Sequence, residues 1–338
     1  MSMLEHLLTV APRPVKSVGR LHLKTRQLAL LVHLDQERNL MRAAAAAGLT
    51  QPAASKLLGQ VESALEVQLF ERHARGMTPT VYGEILIRRA RLALSELSRA
   101  HDEITALRSG LAGKTAIGTV LNPGTNLVPQ AVVRMKQRYP GIHVSIEIDP
   151  SRDLVQRLLQ GSLDMVVGRV LDSIRTDELV YRPLADDEPH MIIARAQHPL
   201  AARQEPRLED LIEQPWILPP AGSLVREKLT ALFVQHGLPP PTNIVETLSL
   251  PVITALLEHS NMLVALPEQA VQSGVKAGTL KVLVRNLPLG VGAFGLITRR
   301  HHQLSAGAQL MLETLEDLAE EMYLTESCRA DCEPMLTQ

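Results

Sequence analysis

Residues 39–65 read NLMRAAAAAGLTQPAASKLLGQVESAL, and their reading decides what the N-terminal part of the chain is. Asn39 can cap a helix through Leu40, Met41, Arg42 and the alanine run Ala43 to Ala47, which Gly48 ends. Leu49 fills the turn and Thr50 caps the next helix, with Pro52 in its first turn, where a missing N–H is harmless. From Gln51 to Leu65, the residues Ala54, Leu57, Leu58, Val61 and Leu65 form one apolar stripe, while Gln51, Ser55, Lys56, Gly59 and Gln60 point outward. Upstream, Leu23, Leu28, Leu31, Val32 and Leu34 give a first core-facing helix. A short helix, a tight turn and a helix with a polar outer N-terminal half make a major-groove reader, although a generic helix pair has the same periodicity.

Composition supports the reader. The chain has 338 residues, 45% hydrophobic, enough for two or three cores. Its net charge of −1 conceals an asymmetry: residues 1–110 carry 15 Lys+Arg against 10 Asp+Glu, and the remainder 20 against 26. A basic head on an acidic body suits a nucleic-acid reader attached to something else. Aromatics are 2% of residues, too few for base-stacking or sugar-stacking platforms, so duplex DNA is the expected partner. Charges interrupt every apolar run, so no membrane span is expected, and residues 1–18 lack a signal-peptide pattern, which implies a cytoplasmic protein. The two cysteines, Cys328 and Cys332, form neither a disulfide framework nor a zinc site.

After Pro79, Thr80 can cap a long helix to about Ser109, ended by Gly110 and Gly113. Leu86, Ala90, Ala93, Leu97, Ala100, Ile104, Leu107 and Leu111 alternate steps of four and three, a heptad seam flanked by charges. The narrow stripe favours a partner helix and hence a homodimer, since helix-turn-helix readers use two-fold symmetry on paired half-sites. From Thr115 the pattern turns to α/β. Ala116–Val120, Val144–Ile148 and Leu163–Gly168 read as strands around helices Leu127–Tyr139 and Leu154–Leu159. A second cycle starts near Leu179, with strands at Met191–Ala194, Ile244–Glu246 and Met262–Leu266 and helices at Val225–Gln235 and Val252–His259.

The first segment resembles the LysR family of transcriptional regulators. The match is carried by Ala43-Ala44, Leu49-Thr50-Gln51-Pro52-Ala53-Ala54-Ser55, Val61-Glu62, Leu69-Phe70-Glu71-Arg72, Thr78-Pro79-Thr80 and Gly83, in the family's order and spacing. The resemblance implies DNA contacts by Thr50, Gln51, Pro52, Ser55 and Lys56, with Arg72, Arg75 and Thr78 on a wing approaching phosphates. Lys56 stands where many members have arginine and lacks the planar fork for guanine, which suits a phosphate contact. Farther on, Leu159-Gln160-Gly161-Ser162-Leu163-Asp164-Met165-Val166-Val167-Gly168, Glu178-Leu179 and Gln197-His198-Pro199-Leu200 are similar to family phrases. The fold implied is an all-α winged helix-turn-helix domain plus long linker helix, followed by a two-lobed α/β effector domain of type 2 periplasmic-binding-protein fold.

The resulting division is an extension at 1–20, the DNA-binding domain at 21–80, the linker and dimerisation helix at 81–111, and the effector-binding domain at 112–303, before a C-terminal helix and tail at 304–338. Lobe I is expected over 112–169 and 268–303, and lobe II over 170–267. The resemblance also implies tetramers built from dimers, and RNA polymerase as a further partner. No cofactor or metal is expected, only a small-molecule effector.

Asn122, Thr125, Ser151, Ser223, Thr247 and Ser249 stand at helix beginnings and are the candidate effector contacts, although helix capping is the alternative role of each. Helix N-termini converging on one cleft favour a small organic anion, a carboxylate or a phosphate-bearing metabolite. Trp216 is expected near the cleft rim. Two alternatives are an NAD-dependent dehydrogenase and a solute-binding protein with an unrelated leader. Gly290-Val291-Gly292-Ala293-Phe294-Gly295 spells G-x-G-x-x-G, but it leads into a strand-like segment and not a helix. His301-His302 and Asp186-Asp187-Glu188 read as solvated loops, and nothing in the sequence carries catalysis.

Overall fold

The computed structural model describes residues 22–324 apart from 75, 109–112, 171–175, 187–188, 204–205 and 301. Cys328, Cys332, Arg75 and His301 therefore lie outside the described residues. The chain divides into two compact units, Met1–Ser98 and Arg99–Gln338.

In the first unit, α1 (Thr25–Glu37), α2 (Leu40–Ala46) and α3 (Gln51–Leu65) are followed by a hairpin of β1 (Phe70–His73) and β2 (Gly76–Pro79), then by α4 (Val81–Arg108). Local chemistry sets the breaks. Asn39 Oδ1 accepts from the backbone N–H groups of Met41 and Arg42 at 2.9 and 3.1 Å, and Gly48 turns the chain with φ +62°. Thr50 Oγ1 caps α3 through Ala53 N, and Thr80 Oγ1 caps α4 through Gly83 N at 3.1 Å. Leu30, Leu31, Leu34, Ala43, Ala44, Ala54, Leu58 and Val61 close one core with Phe70, Met77 and Ile87. Polar contacts hold the wing to that core: Glu62 Oε1 accepts from Leu69 N at 2.8 Å, and Arg38 O accepts from Met77 N at 2.8 Å. A Cβ at Gly76 would run into Arg38 O, and one at Gly83 into Leu69 O, so both glycines are required by close backbone approach.

The second unit has two five-stranded sheets. The first contains β3 (Lys114–Thr119), β4 (His143–Ile148), β5 (Met165–Gly168), β6 (Leu179–Ala185) and β12 (Phe294–Arg299), in the order β4-β3-β5-β12-β6. The second contains β7 (His190–Arg195), β8 (Trp216–Leu218), β9 (Ile244–Glu246), β10 (Leu263–Pro267) and β11 (Leu280–Leu287), in the order β11-β7-β10-β8-β9. Both sheets are covered on both faces. Ile117, Met165, Val167 and Leu296 face α6 (Leu127–Arg138) and α12 (Ala306–Ala319), while Ala116, Val166 and Ile297 face α7 (Ser151–Leu159). In the second sheet Ile192, Trp216, Leu218 and Leu263 pack with α9 (Leu224–Gln235), and Ile193, Ile217 and Val264 with α10 (Leu250–His259). The remaining helices are the short α5 (Leu121–Thr125) and α8 (Leu208–Ile212), and α11 (Glu268–Lys276).

Strand pairing moves both expected lobe boundaries. Residues 179–185 pair antiparallel with β12 and belong to the first lobe, so the chain crosses after β6 and not at 170. Likewise β11 pairs with β7, which places residues 280–287 in the second lobe and the return just before β12 instead of at 268. The return passage contains the G-x-G-x-x-G segment. Phe294 and Gly295 open a strand, and a Cβ at Gly295 would strike Arg182 O and the Tyr181 ring, so this glycine serves strand packing.

Candidate DNA-binding face and effector cleft

On α3, buried Ala54, Leu58 and Val61 fix the helix rotation, which leaves Gln51, Pro52 and Lys56 exposed and Ser55 half-buried; Thr50 is exposed at the cap. In the wing Arg72 and Thr78 are exposed, and Thr78 Oγ1 lies 2.9 Å from His73 Nε2. The described candidates thus sit on one helix beginning and one hairpin, both fixed by the same apolar core.

Along α4 the expected seam divides. Leu86 and Ala90 turn into their own domain's core, and Arg91 pairs with Asp35 on α1 at 2.5 Å. The reason is that the helix must first cover α1 to α3 before any face is left for another chain. Farther along, Ala93 and Ala100 are exposed, as are Leu97 and Ile104, 56% and 58% accessible. The side chain of Leu107 lies outside the described part.

The last turns of α4 belong to the second unit, where Arg99 is built into the first lobe. Its guanidinium meets Asp164 Oδ1 at 2.6 Å and donates to the carbonyls of Gly161 and Leu163 at 2.9 and 3.2 Å. Asp164 Oδ2 accepts from Ala116 N at 2.7 Å, so this buried carboxylate uses both oxygens just before β5 begins.

Between the two lobes of the second unit lies a cavity of about 800 Å³ counting its open mouth. Leu121, Ile217, Leu218, Leu248, Val264 and Leu266 give it apolar walls. Of the candidates from sequence, Asn122, Ser151, Ser223 and Thr247 come together in its lining, whereas Thr125 and Ser249 do not. Thr125 Oγ1 donates to Asn122 O instead, and Ser249 is exposed at the start of α10. Ser151 Oγ accepts from Arg169 N at 3.0 Å, tying α7 to the end of β5. Thr247 Oγ1 accepts from Ser249 N at 3.0 Å. Trp216 is not at the rim: it is fully buried in the second-lobe core, donates to Leu211 O and meets Phe233 edge-on.

Three polar lining residues were not anticipated: Asp149, Arg169 and His190. Arg169 is the one Lys or Arg among the described lining residues; its Nε donates to Gly292 O at 3.0 Å, and its guanidinium lies over the Phe294 ring. The sequence held one signal for it, since ligands of α/β sheets gather where strands end and Arg169 directly follows β5. Asp149 is ion-paired with Arg157, whose own pKa is raised chiefly by its hydrogen bond to Glu147 and further by Asp149. Among the described residues no group of three His, Cys, Asp or Glu could hold a metal, and no helix is long and apolar enough to cross a membrane.

Comparison with known proteins agrees with both units. Residues 25–84 match the model of the bacterial regulatory helix-turn-helix protein, lysR family, and residues 108–320 match that of the LysR substrate binding domain. The HTH-type transcriptional regulator GbpR of Azospirillum brasilense is 35% identical over 294 residues, 87% of this chain and 86% of that protein. The regulator GalR of Pseudomonas putida is 31% identical, over 82% of this chain and 69% of its own. Among solved structures, the LysR family transcriptional regulator CbnR superposes with TM-score 0.58 at 20% identity, over 88% of this chain and 99% of its own. With the winged reader and the two-lobed domain both in place, the chain belongs to the LysR family of bacterial transcriptional regulators.

Proposed function

We propose that this LysR-family regulator reads duplex DNA as a two-fold dimer, and that a small organic anion held between the lobes of its effector domain sets its activity. The observation that carries the first part is the start of α3, where Gln51, Pro52 and Lys56 stand exposed above buried Ala54 and Leu58. Such a helix can enter the major groove without disturbing the core that fixes it. Gln51 and Ser55 read base edges there, while Thr50 and Pro52 set the approach of the helix; Lys56, with Arg72, Arg75 and Thr78 of the wing, meets backbone phosphates. Ala93, Leu97, Ala100 and Ile104 supply the partner-facing part of the dimer helix.

For the cleft, the reading rests on Arg169 together with the polar residues Asn122, Ser151, Ser223 and Thr247, in a lining that also holds Asp149 and His190 and has apolar walls. The test is selection of bound sequences from a pool of random duplexes by mobility shift. Recovered sites should contain an inverted pair of half-sites one helical turn apart or a multiple of it, since a two-fold dimer reads both strands alike. Recovered sites without two-fold symmetry, or no retained duplex, would overturn it.

A further inference from the structure

Resting on the reading of the cleft as an effector site, we infer that the effector carries an apolar chain, which leaves the cleft along Ile253 and Leu266 and lies in a second pocket inside the second lobe. That pocket, about 340 Å³ counting its open side, is set between α10 and α11 and the strand residues that they cover. Ile253 of α10 and Leu266 of β10 line the pocket and the cleft alike. Both are buried in the cluster that joins α10 to the second sheet, so the two spaces adjoin on one face of that sheet and share a wall. The gap exists because Thr254 on α10 and Ala270 on α11 are too short to close it, whereas helices packed on a sheet ordinarily interdigitate until little space is left. On its α11 side the pocket stops where Gly274 lets Leu280 approach so closely that a Cβ would meet the leucine side chain.

Chemistry decides what fits there. No charged residue stands among the described lining, and the Thr254 hydroxyl already donates to Leu250 O at 3.0 Å within α10. Ser273, the other hydroxyl, is exposed at the open side. A polar group carried into the pocket would give up water without gaining a partner, whereas Leu250, Leu257, Val271 and Leu280 offer the contacts that a methylene chain makes. Entry lies between two buried side chains, which suits a narrow chain and not a ring, and the contact of Gly274 with Leu280 sets a limit to its length. The polar end of the effector stays in the cleft, where the hydrogen-bonding groups are.

Calorimetric titration of the full chain tests this with straight-chain carboxylates from butyrate to decanoate and with alcohols of matching length up to octanol. Affinity should rise about fourfold for each methylene that enters the pocket and level off once it is full. A chain confined to the cleft would also gain affinity with length, so variants decide between the two. Ala270→Leu and Thr254→Leu fill the pocket from α11 and from α10, and neither residue lines the cleft. Each should leave butyrate unchanged and weaken the longest acid by about tenfold or more, so that the levelling comes at a shorter chain. Circular dichroism and melting of each variant show that it is folded. No gain with length, or the same gain in the parent and in either folded variant, overturns the inference and leaves the anion reading intact wherever acids bind tighter than alcohols. Alcohols that bind as tightly as the acids of their length overturn the anion reading and not the chain. Binding by none of these compounds overturns both.

Discussion

The two binding faces of this protein are built on opposite plans. On α3 the candidate contact groups Gln51, Pro52 and Lys56 stand in solvent, and only their apolar neighbours belong to the core. In the cleft the candidate contact groups Asn122, Arg169 and Ser223 are themselves buried. An exposed polar side chain is hydrated until its partner arrives, so changing it leaves stability nearly untouched and alters only recognition. A buried one is held inside the fold, where it needs either a protein partner or a ligand. The first plan suits a long rigid polyanion that meets a surface, the second a small molecule that must be enclosed.

The comparison is broken most severely by removing what lets two readers act together. Placing glutamate at both Leu97 and Ile104 puts carboxylates into the exposed apolar stripe of α4, and dimers should dissociate. Operator affinity should then fall by about 10²-fold or more, because the second half-site is no longer bound intramolecularly. Sedimentation together with mobility shift checks this; a variant that keeps the parent's mass and affinity would show that the stripe serves another purpose. Next in size is Arg99→Leu, which leaves the buried Asp164 carboxylate without its cation and should cost the second unit about 3 kcal/mol in denaturant unfolding. Adding Asp164→Asn to that variant should recover part of the loss, and no recovery would mean that the carbonyl contacts of Arg99 matter more than its charge.

How far the two plans could be read in advance follows from the same contrast. Asn39, Gly48 and Thr50 act through backbone groups two or three residues away, and a stripe such as Ala54, Leu58 and Val61 declares its own face, so the reader was legible residue by residue. The order of strands and helices in the second unit was legible for the same local reasons. The lobe to which β6 and β11 belong was not, because pairing of Leu296 with Arg182 or Lys281 with Ala194 is decided across more than eighty residues of chain. The cleft was half legible: Asn122 and Ser223 stand near helix beginnings, but whether such a side chain caps its helix cannot be told until its neighbours are in place; the N-cap of α5 is Val120, and Ser223 makes no capping bond. Arg169 and Arg99 owe their roles to tertiary partners, Gly292 and Asp164, more than sixty residues away.

Within the reader, two substitutions of moderate effect sharpen the distinction between base and phosphate. Gln51→Ala should cost about 1–3 kcal/mol on the selected operator and little on unrelated duplex. Lys56→Ala should weaken both alike and lower the slope of affinity against salt by about one ion. Neither should change the melting temperature, since both side chains are exposed. If Lys56→Ala leaves unrelated duplex unaffected, the lysine reads a base and not a phosphate.

The smallest effect concerns a buried histidine of the second unit that is not among the lining residues of the cleft. His198 is buried; its Nδ1 accepts from Leu200 N at 3.0 Å, and its Nε2–H donates to Asn261 O at 3.2 Å, a pattern only the neutral ring can make. Burial pushes its pKa below the ordinary 6.5, against the opposing pull of the Asn261 carbonyl, and the nearby Arg195 charge lowers it further. In the unfolded chain the ring takes up its proton near the ordinary value, while the folded protein resists until lower pH. The unfolded state thus binds more protons in that interval, so the contribution of His198 is whole above the ordinary value and is lost as pH falls toward and through the folded one. His198→Asn retains an acceptor for Leu200 N–H and does not titrate. Between pH ~7.5 and ~5.5 the parent's melting temperature should therefore fall by about 1–2 °C more than the variant's. Parallel melting curves over that interval would mean that the buried ring does not contribute to the acid sensitivity of the effector domain.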